Sequence, residues 1–268
     1  MVSAATRLSR FDLGRVVERT LASIGRNFAV FLLLTLLLAG LPALLTGSLF
    51  ALAALNGGSS AVAGADATNL IAVGVSAIGL VTLVGSIAGF ILQAAIVYGV
   101  IADLNGRRAE FAECLSSGLR NWFWLLLLAI VIAVCEVFGF ILLIVPGLMM
   151  AVAWMVAVPA QVVERTGVFG AMSRSAELTR GHRWSIFGLL VIYVVASGAI
   201  QAAISATVTT LAVGLSPATA QAATHLIAQP LLSVATSLVG AAGVASIYYE
   251  LRSTREGIGP EALAAVFD

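Results

Sequence analysis

Six stretches of this chain are almost free of charge, at about Phe28–Phe50, Leu70–Ile101, Trp122–Val145, Leu148–Val163, Trp184–Leu211 and Ala223–Tyr249. Crossing roughly 30 Å of hydrocarbon takes about 20 apolar residues in a helix. Backbone surrounded by lipid must satisfy its own N–H and C=O groups, so these stretches predict helices. Hydrophobic residues make up 60% and charged residues 10% of the 268. A soluble domain carries roughly 45–50% and 25%, so one water-exposed core could not hide this chain. The expected fold class is all-α: a polytopic membrane protein with about six transmembrane helices and cytoplasmic amphipathic interfacial helices. The expected organisation is one integral membrane domain over 1–268. It comprises an N-terminal amphipathic segment (1–27), a six-helix bundle (28–250) and a cytoplasmic tail (251–268).

All 14 cationic side chains are arginine, and their placement sets the orientation. Five precede the first stretch (Arg7, Arg10, Arg15, Arg19, Arg26) and three separate the second from the third (Arg107, Arg108, Arg120). Four lie between the fourth and fifth (Arg165, Arg174, Arg180, Arg183), and Arg252 and Arg255 follow the sixth. The alternate connections, about 51–69, 146–147 and 212–222, hold none. Cytoplasmic loops carry the excess of basic residues. Both termini are therefore expected in the cytoplasm of a cell with an inner membrane. The N-terminus has no short apolar core followed by a small-residue cleavage site, so it does not read as a cleavable signal.

The fourth stretch is short and contains Pro159. Ile144-Val145-Pro146-Gly147 reads as a type II turn, with proline second and glycine third. It predicts a tight hairpin with its tip in the outer leaflet; a re-entrant pair is the alternative. A weak repeat also runs through Leu21-ASIGRN-Phe28, Leu115-SSGLRN-Trp122 and Glu177-LTRGHR-Trp184. It suggests three units of interfacial helix plus hairpin. The competing account is that any helix entering from the cytoplasm shows arginine and then an aromatic at headgroup level. Cys114 and Cys135 fall about 30 Å apart along one helix, too far for a disulfide.

Residues 141–184 carry a more specific signal: Val145-Pro146-Gly147, Pro159, Glu164, then Ala171, Arg174, Ser175, Leu178 and Gly181. This stretch resembles the membrane-domain family of glycerophosphoryl diester phosphodiesterases and its stand-alone bacterial relatives. Asn27-Phe28 and Gly106 are similar as well. In the phosphodiesterases such a domain is fused to a soluble barrel that performs the hydrolysis. The sequence here holds no such barrel, so the resemblance implies architecture without the activity.

Candidate chemistry is sparse. His182-Arg183 invites comparison with a phosphodiesterase His-Arg pair, but metal-assisted sites need several carboxylates and a second histidine close by. His225 is expected near the opposite face, which leaves His182 and Arg183 as headgroup anchors. Glu136 is the one acidic residue inside an expected span, about 21 Å beyond Trp122. A charge there costs roughly 2.5–3.5 kcal/mol, so it should face protein or water. Gln93, Ser197 and Gln201 lie at similar depth, and with Glu136 they form the candidate intramembrane polar site. The alternative is a carboxyl that ties helices together. Gly85 and Gly89 form a Gly-x-x-x-Gly packing signature. Val168–Arg183 predicts a surface helix whose Arg174, Arg180 and Arg183 contact lipid headgroups; a solvated, topology-setting face is the plainer reading. No catalytic, cofactor or metal motif appears. The functional expectation is a non-enzymatic scaffold or lipid-interacting module of the bacterial inner membrane. The alternative is a small-solute or ion transporter or channel around Glu136. Membrane lipids are the expected partners, nucleic acid is not, and a homo-oligomer or membrane-protein partner is left open.

Overall fold

A computed structural model describes residues 12–56, 67–211 and 216–256. Every regular element among them is helical: α1 (Leu13–Arg26), α2 (Phe28–Thr35), α3 (Leu41–Asn56), α4 (Ala67–Leu104), α5 (Phe111–Leu142), α6 (Ile144–Trp154), α7 (Ala157–Glu164), α8 (Val168–Thr179), α9 (Arg183–Leu211), α10 (Pro217–Ala223) and α11 (Gln229–Glu256). Two short π-helical segments, π1 (Leu36–Gly40) and π2 (Thr224–Ala228), join α2 to α3 and α10 to α11. The chain is an all-α polytopic protein. Six helical stretches are long and apolar enough to cross a membrane: Phe28–Leu52, Gly79–Leu104, Phe111–Ile141, Ile144–Glu164, Arg183–Val208 and Ala218–Glu256.

The core gathers α4, α7 and α11 around Ala94–Val97, Val156, Ala157, Ala160 and Ala242, with Phe31 and Leu34 of α2 against them. Small residues on α7 and α11 let these helices come close. By contrast α9 leaves Ile192, Val194, Val195 and Ile200 exposed, the surface expected of a helix solvated by lipid.

The π segments have a proline cause. Pro42 and Pro230 each follow one within two residues, and a proline inside a helix clashes with the carbonyl four residues back. Widening the preceding turn relieves that clash. Leu41 N–H accordingly bonds Leu36 O, and Gln229 N–H bonds Thr224 O, five residues back. The two widened segments belong to neighbouring helices, and α3 presses on π2 so closely that a Cβ at Gly47 would collide with the His225 carbonyl.

Three boundaries differ from expectation. The third span does not start at Trp122, because α5 runs unbroken from Phe111 through Asn121. The sixth starts before Ala223: Ser216 caps α10, accepting from Thr219 N–H, and Pro217 holds the first position, the preferred arrangement at a helix start. Residues 251–256 belong to α11, so the tail is shorter than 251–268. Its remainder, 257–268, lies outside the described residues, as do 1–11, 57–66 and 212–215.

The expected turn at Pro146-Gly147 is also corrected. The break is a single extended residue, Leu143 (φ −167°, ψ 146°), while Pro146 and Gly147 sit in the first turn of α6. Proline is tolerated there because the first N–H groups of a helix have no intrahelical acceptor. Gly147 permits close packing, since a Cβ would lie 2.7 Å from the Phe140 ring. The far end of α6 is pinned: Ser175 Oγ donates to Ala153 O at 2.8 Å and Thr179 Oγ1 reaches the same oxygen at 3.4 Å. Arg180, the next residue, takes a hydrogen bond on its carbonyl from Arg255 at the end of α11. Along its length α6 packs on the start of α9, where Val145, Leu148 and Val152 share a cavity with Arg183, Trp184 and Phe187. An 11-residue helix is about 16 Å long, roughly half the hydrocarbon thickness. The α5–α6 tip therefore lies about one α6 length from the Ala153 anchor on α8. With α7, α6 makes up Ile144–Glu164, which is long and apolar enough to cross.

Candidate functional site

The arginine-bearing end is held together by three ionic clusters. In the first, α1 starts at Asp12, whose side chain accepts from Gly14 N–H at 2.8 Å. The helix then presents Arg15 and Arg19, one turn apart, to Glu250 near the end of α11. Arg15 Nη2 lies 2.9 Å from Glu250 Oε1, and Arg19 pairs with Oε2. The Arg19 guanidinium also stacks over Tyr249 at 5.2 Å, a cation–π contact. Glu250 is 1% exposed, so these two cations are what makes its charge tolerable there.

The second cluster closes the α1–α2 junction. Arg26 Nε donates to Asp103 Oδ1 at 3.0 Å, and Asn27 Nδ2 donates to the same oxygen at 2.8 Å. Asn27 Oδ1 accepts from Ala109 N–H at 3.2 Å, which ties the α4–α5 loop to the same point. The hydrogen bond to Asp103 holds the Arg26 guanidinium above its ordinary pKa.

The third joins α7, α8 and α11. Glu164 accepts from Arg174 Nε at 3.0 and 3.1 Å and from Tyr248 Oη at 2.8 Å. Arg174 also reaches Glu177 at 3.6 Å and pairs with Glu256, which in turn accepts from Arg252 Nε at 2.9 Å. The residues that carried the family resemblance thus have structural work. Glu164 and Arg174 pair, Ser175 anchors Ala153, Ala171 and Leu178 are fully buried, and Gly181 takes φ +88° at the α8–α9 bend. A left-handed φ of that size favours glycine.

Of the expected headgroup contacts, Arg174 is committed to carboxylates. Arg183 is half-buried beside Trp184 and Phe187, and Arg180 is exposed. The candidate polar site does not assemble. Gln93 lines a cavity of about 320 Å³ between α4, α9 and α11, with Tyr193, Thr236 and Ser237, and Glu136, Ser197 and Gln201 are not among its lining residues. Tyr193 Oη donates to Thr236 O at 2.9 Å across it. Ser197 instead bonds Val194 O at 3.0 Å, and Gln201 lies 3.5 Å from Ser205 Oγ. Glu136 is half-buried and makes no hydrogen bond or ion pair among the described residues. Glu136→Gln should therefore change stability by less than about 0.5 kcal/mol, as surface substitutions do. A larger loss in thermal unfolding of the purified protein would show a partner. Gly85 meets only Pro42, at 3.3 Å from a notional Cβ, and Gly89 meets nothing, so the Gly-x-x-x-Gly is not the tight contact.

Sequence reasoning missed the ionic clusters and the cleft beside the π segments. Prolines inside two helical runs were the one signal for the latter. His182 and His225 are far apart in role: His182 N–H closes the α8–α9 bend on Thr179 O, and His225 stacks on Phe50 at 5.4 Å. Among the described residues no three His, Cys, Asp or Glu side chains converge as a metal site, and both cysteines are free. Fold and site define a class, the all-helical multi-pass membrane protein. Compared with known protein families, with curated proteins and with solved structures, the chain finds no match.

Proposed function

We propose that this protein is a non-enzymatic, lipid-interacting module of the bacterial inner membrane, with its arginine-bearing end, amphipathic α1 and α8 and both termini in the cytoplasm. The observation that carries the reading is a cleft of about 500 Å³ between α2–π1–α3 and π2–α11. Leu37, Leu41, Leu44, Ile227, Pro230 and Val234 line it among others, all apolar. Its rims are the two π segments, and widened turns of this kind recur at functional sites. An apolar cleft at membrane depth suits an acyl chain, which needs shape and dispersion contacts but no polar partner. The proposed kinship with the phosphodiesterase membrane domains fits a module that handles lipid without hydrolysing it.

Native mass spectrometry of the purified protein tests this. Wild type should retain phospholipid through detergent exchange. Ile227→Trp, which fills the cleft from an exposed position, should lose it while the unfolding temperature stays unchanged. Equal retention by both would sink the reading. The cavity of Gln93, Tyr193, Thr236 and Ser237 favours a second reading, a small-solute transporter whose polar site is centred there and not at Glu136. Flux into proteoliposomes that Gln93→Leu abolishes would select it.

A further inference from the structure

A further cavity, of about 440 Å³, opens between the start of the apolar run of α5 and the α7–α8 bend. Arg120, Asn121, Trp124, Gln161, Arg165 and Thr166 line it. Five arginines at this end are matched to carboxylates: Arg15 and Arg19 to Glu250, Arg26 to Asp103, Arg174 and Arg252 to Glu256. Arg120 and Arg165 are not: neither side chain makes a hydrogen bond or ion pair among the described residues, yet both line one cavity. Arg165 is placed there by the left-handed backbone (φ 50°, ψ 38°) that ends α7, a conformation uncommon for any residue with a side chain. Gln161 supplies an independent mark. It is 3% exposed, it lines the cavity, and its Oε1 is buried with no hydrogen-bond partner. Two cations and an unpaired buried amide oxygen around one space, with no carboxylate lining it, leave both charge and hydrogen bonding unmet.

We propose that this cleft holds a phosphate-bearing group, either the headgroup of an anionic phospholipid or a free phosphate. Guanidinium groups bind phosphate oxygens through paired N–H donors, and the side-chain carbonyl of Gln161 then accepts from a hydroxyl on the same ligand. The height fits a headgroup. Arg165 directly follows Glu164 of the third ionic cluster, and Trp124 brings an amphipathic ring to the membrane edge. The volume equals that of about fifteen waters at roughly 30 Å³ each, room for a phosphate with a glycerol attached. The site is separate from the apolar cleft beside the π segments, so either can fail alone.

The experiment titrates the full-length protein in detergent with short-chain phosphatidylglycerol and, separately, with inorganic phosphate. Arg120→Gln/Arg165→Gln should weaken binding about 30-fold, at roughly fivefold per arginine near a membrane surface. Arg108→Gln, likewise exposed but outside the cavity, should leave binding unchanged. Thr166→Trp fills the cleft with both arginines kept and should reproduce the loss, which covers the case in which the double variant fails to fold. Binding of phosphatidylglycerol but not phosphate assigns a lipid headgroup; binding of both, in competition, assigns a free phosphate. No binding of either by wild type, or wild-type affinity in the double variant and in Thr166→Trp, overturns the proposal.

Discussion

Replacing Arg15 and Arg19 together by glutamine should destabilise the protein by about 3–5 kcal/mol, the cost of leaving a buried charge without its partner. Glu250 is 1% exposed and receives both guanidinium groups from α1. Removing the arginines strands a carboxylate in the packed end of α11. Removing the carboxylate is a different experiment, because Arg15 and Arg19 are 38% and 31% exposed in their side chains and can turn to water. Glu250→Gln alone should thus cost about 1–3 kcal/mol, the range for one unsatisfied buried polar group. The triple variant Arg15→Gln/Arg19→Gln/Glu250→Gln should recover much of what the double loses. Thermal or denaturant unfolding in detergent reads all three. If the double variant were no worse than Arg107→Gln/Arg108→Gln, two exposed arginines of the α4–α5 loop, the idea that α1 is locked down by Glu250 would fail.

That contact shows why the fold was more legible than the site. Hydropathy marks where the chain can enter lipid, and it does so locally. Phe28 begins α2 and Arg183-Trp184 begins α9, almost where the apolar runs begin. Asn121 offered the same local signature as Asn27, yet the two behave differently. Asn27 ends a helix because Asp103 and Ala109 N–H engage its side chain, whereas Asn121 bonds only Ser117 O within its own helix and α5 continues. The deciding partners lie more than 75 residues away, and no periodicity encodes them. The same holds for Arg19 with Glu250, separated by 231 positions. Arginine asymmetry revealed which end of the bundle is basic. It could not reveal that five of those arginines are spent on carboxylates while Arg120 and Arg165 are not. The polar residues grouped around Glu136 illustrate the converse: equal depth along separate helices does not bring side chains to one azimuth, and here only Gln93 reaches the cavity.

If α5 and α6 form a re-entrant pair, the turn between them should be shielded from the face of the membrane opposite the arginines. Ile144 is 74% exposed in the bundle, so it faces the surrounding medium. Anchoring of Ala153 by Ser175 and Thr179 holds the other end of α6 on α8, one helix length from this turn. In a Cys114→Ala/Cys135→Ala background, Ile144→Cys in whole cells should react with an impermeant thiol reagent at least about tenfold more slowly than Thr219→Cys, because a charged reagent does not partition into the apolar layer. Thr219 is the suitable reference: it is exposed, in the first turn of α10 at the end of the bundle away from Arg255. A bimane label on residue 144 should be quenched most by lipids brominated on the acyl chain and least by aqueous iodide outside the cell. Rapid labelling of Ile144→Cys from outside, matching Thr219→Cys, would mean that α5 and α6 cross fully and that the Ala153 anchor does not hold the hairpin back. The motive for this geometry is packing: at Gly139 a Cβ would meet Met150 Sδ at 2.9 Å and Gly147 Cα at 3.1 Å, so α5 and α6 are pressed together at the tip. Gly139→Leu should force them apart, and in that variant the slow labelling of residue 144 should rise toward the rate of Thr219→Cys.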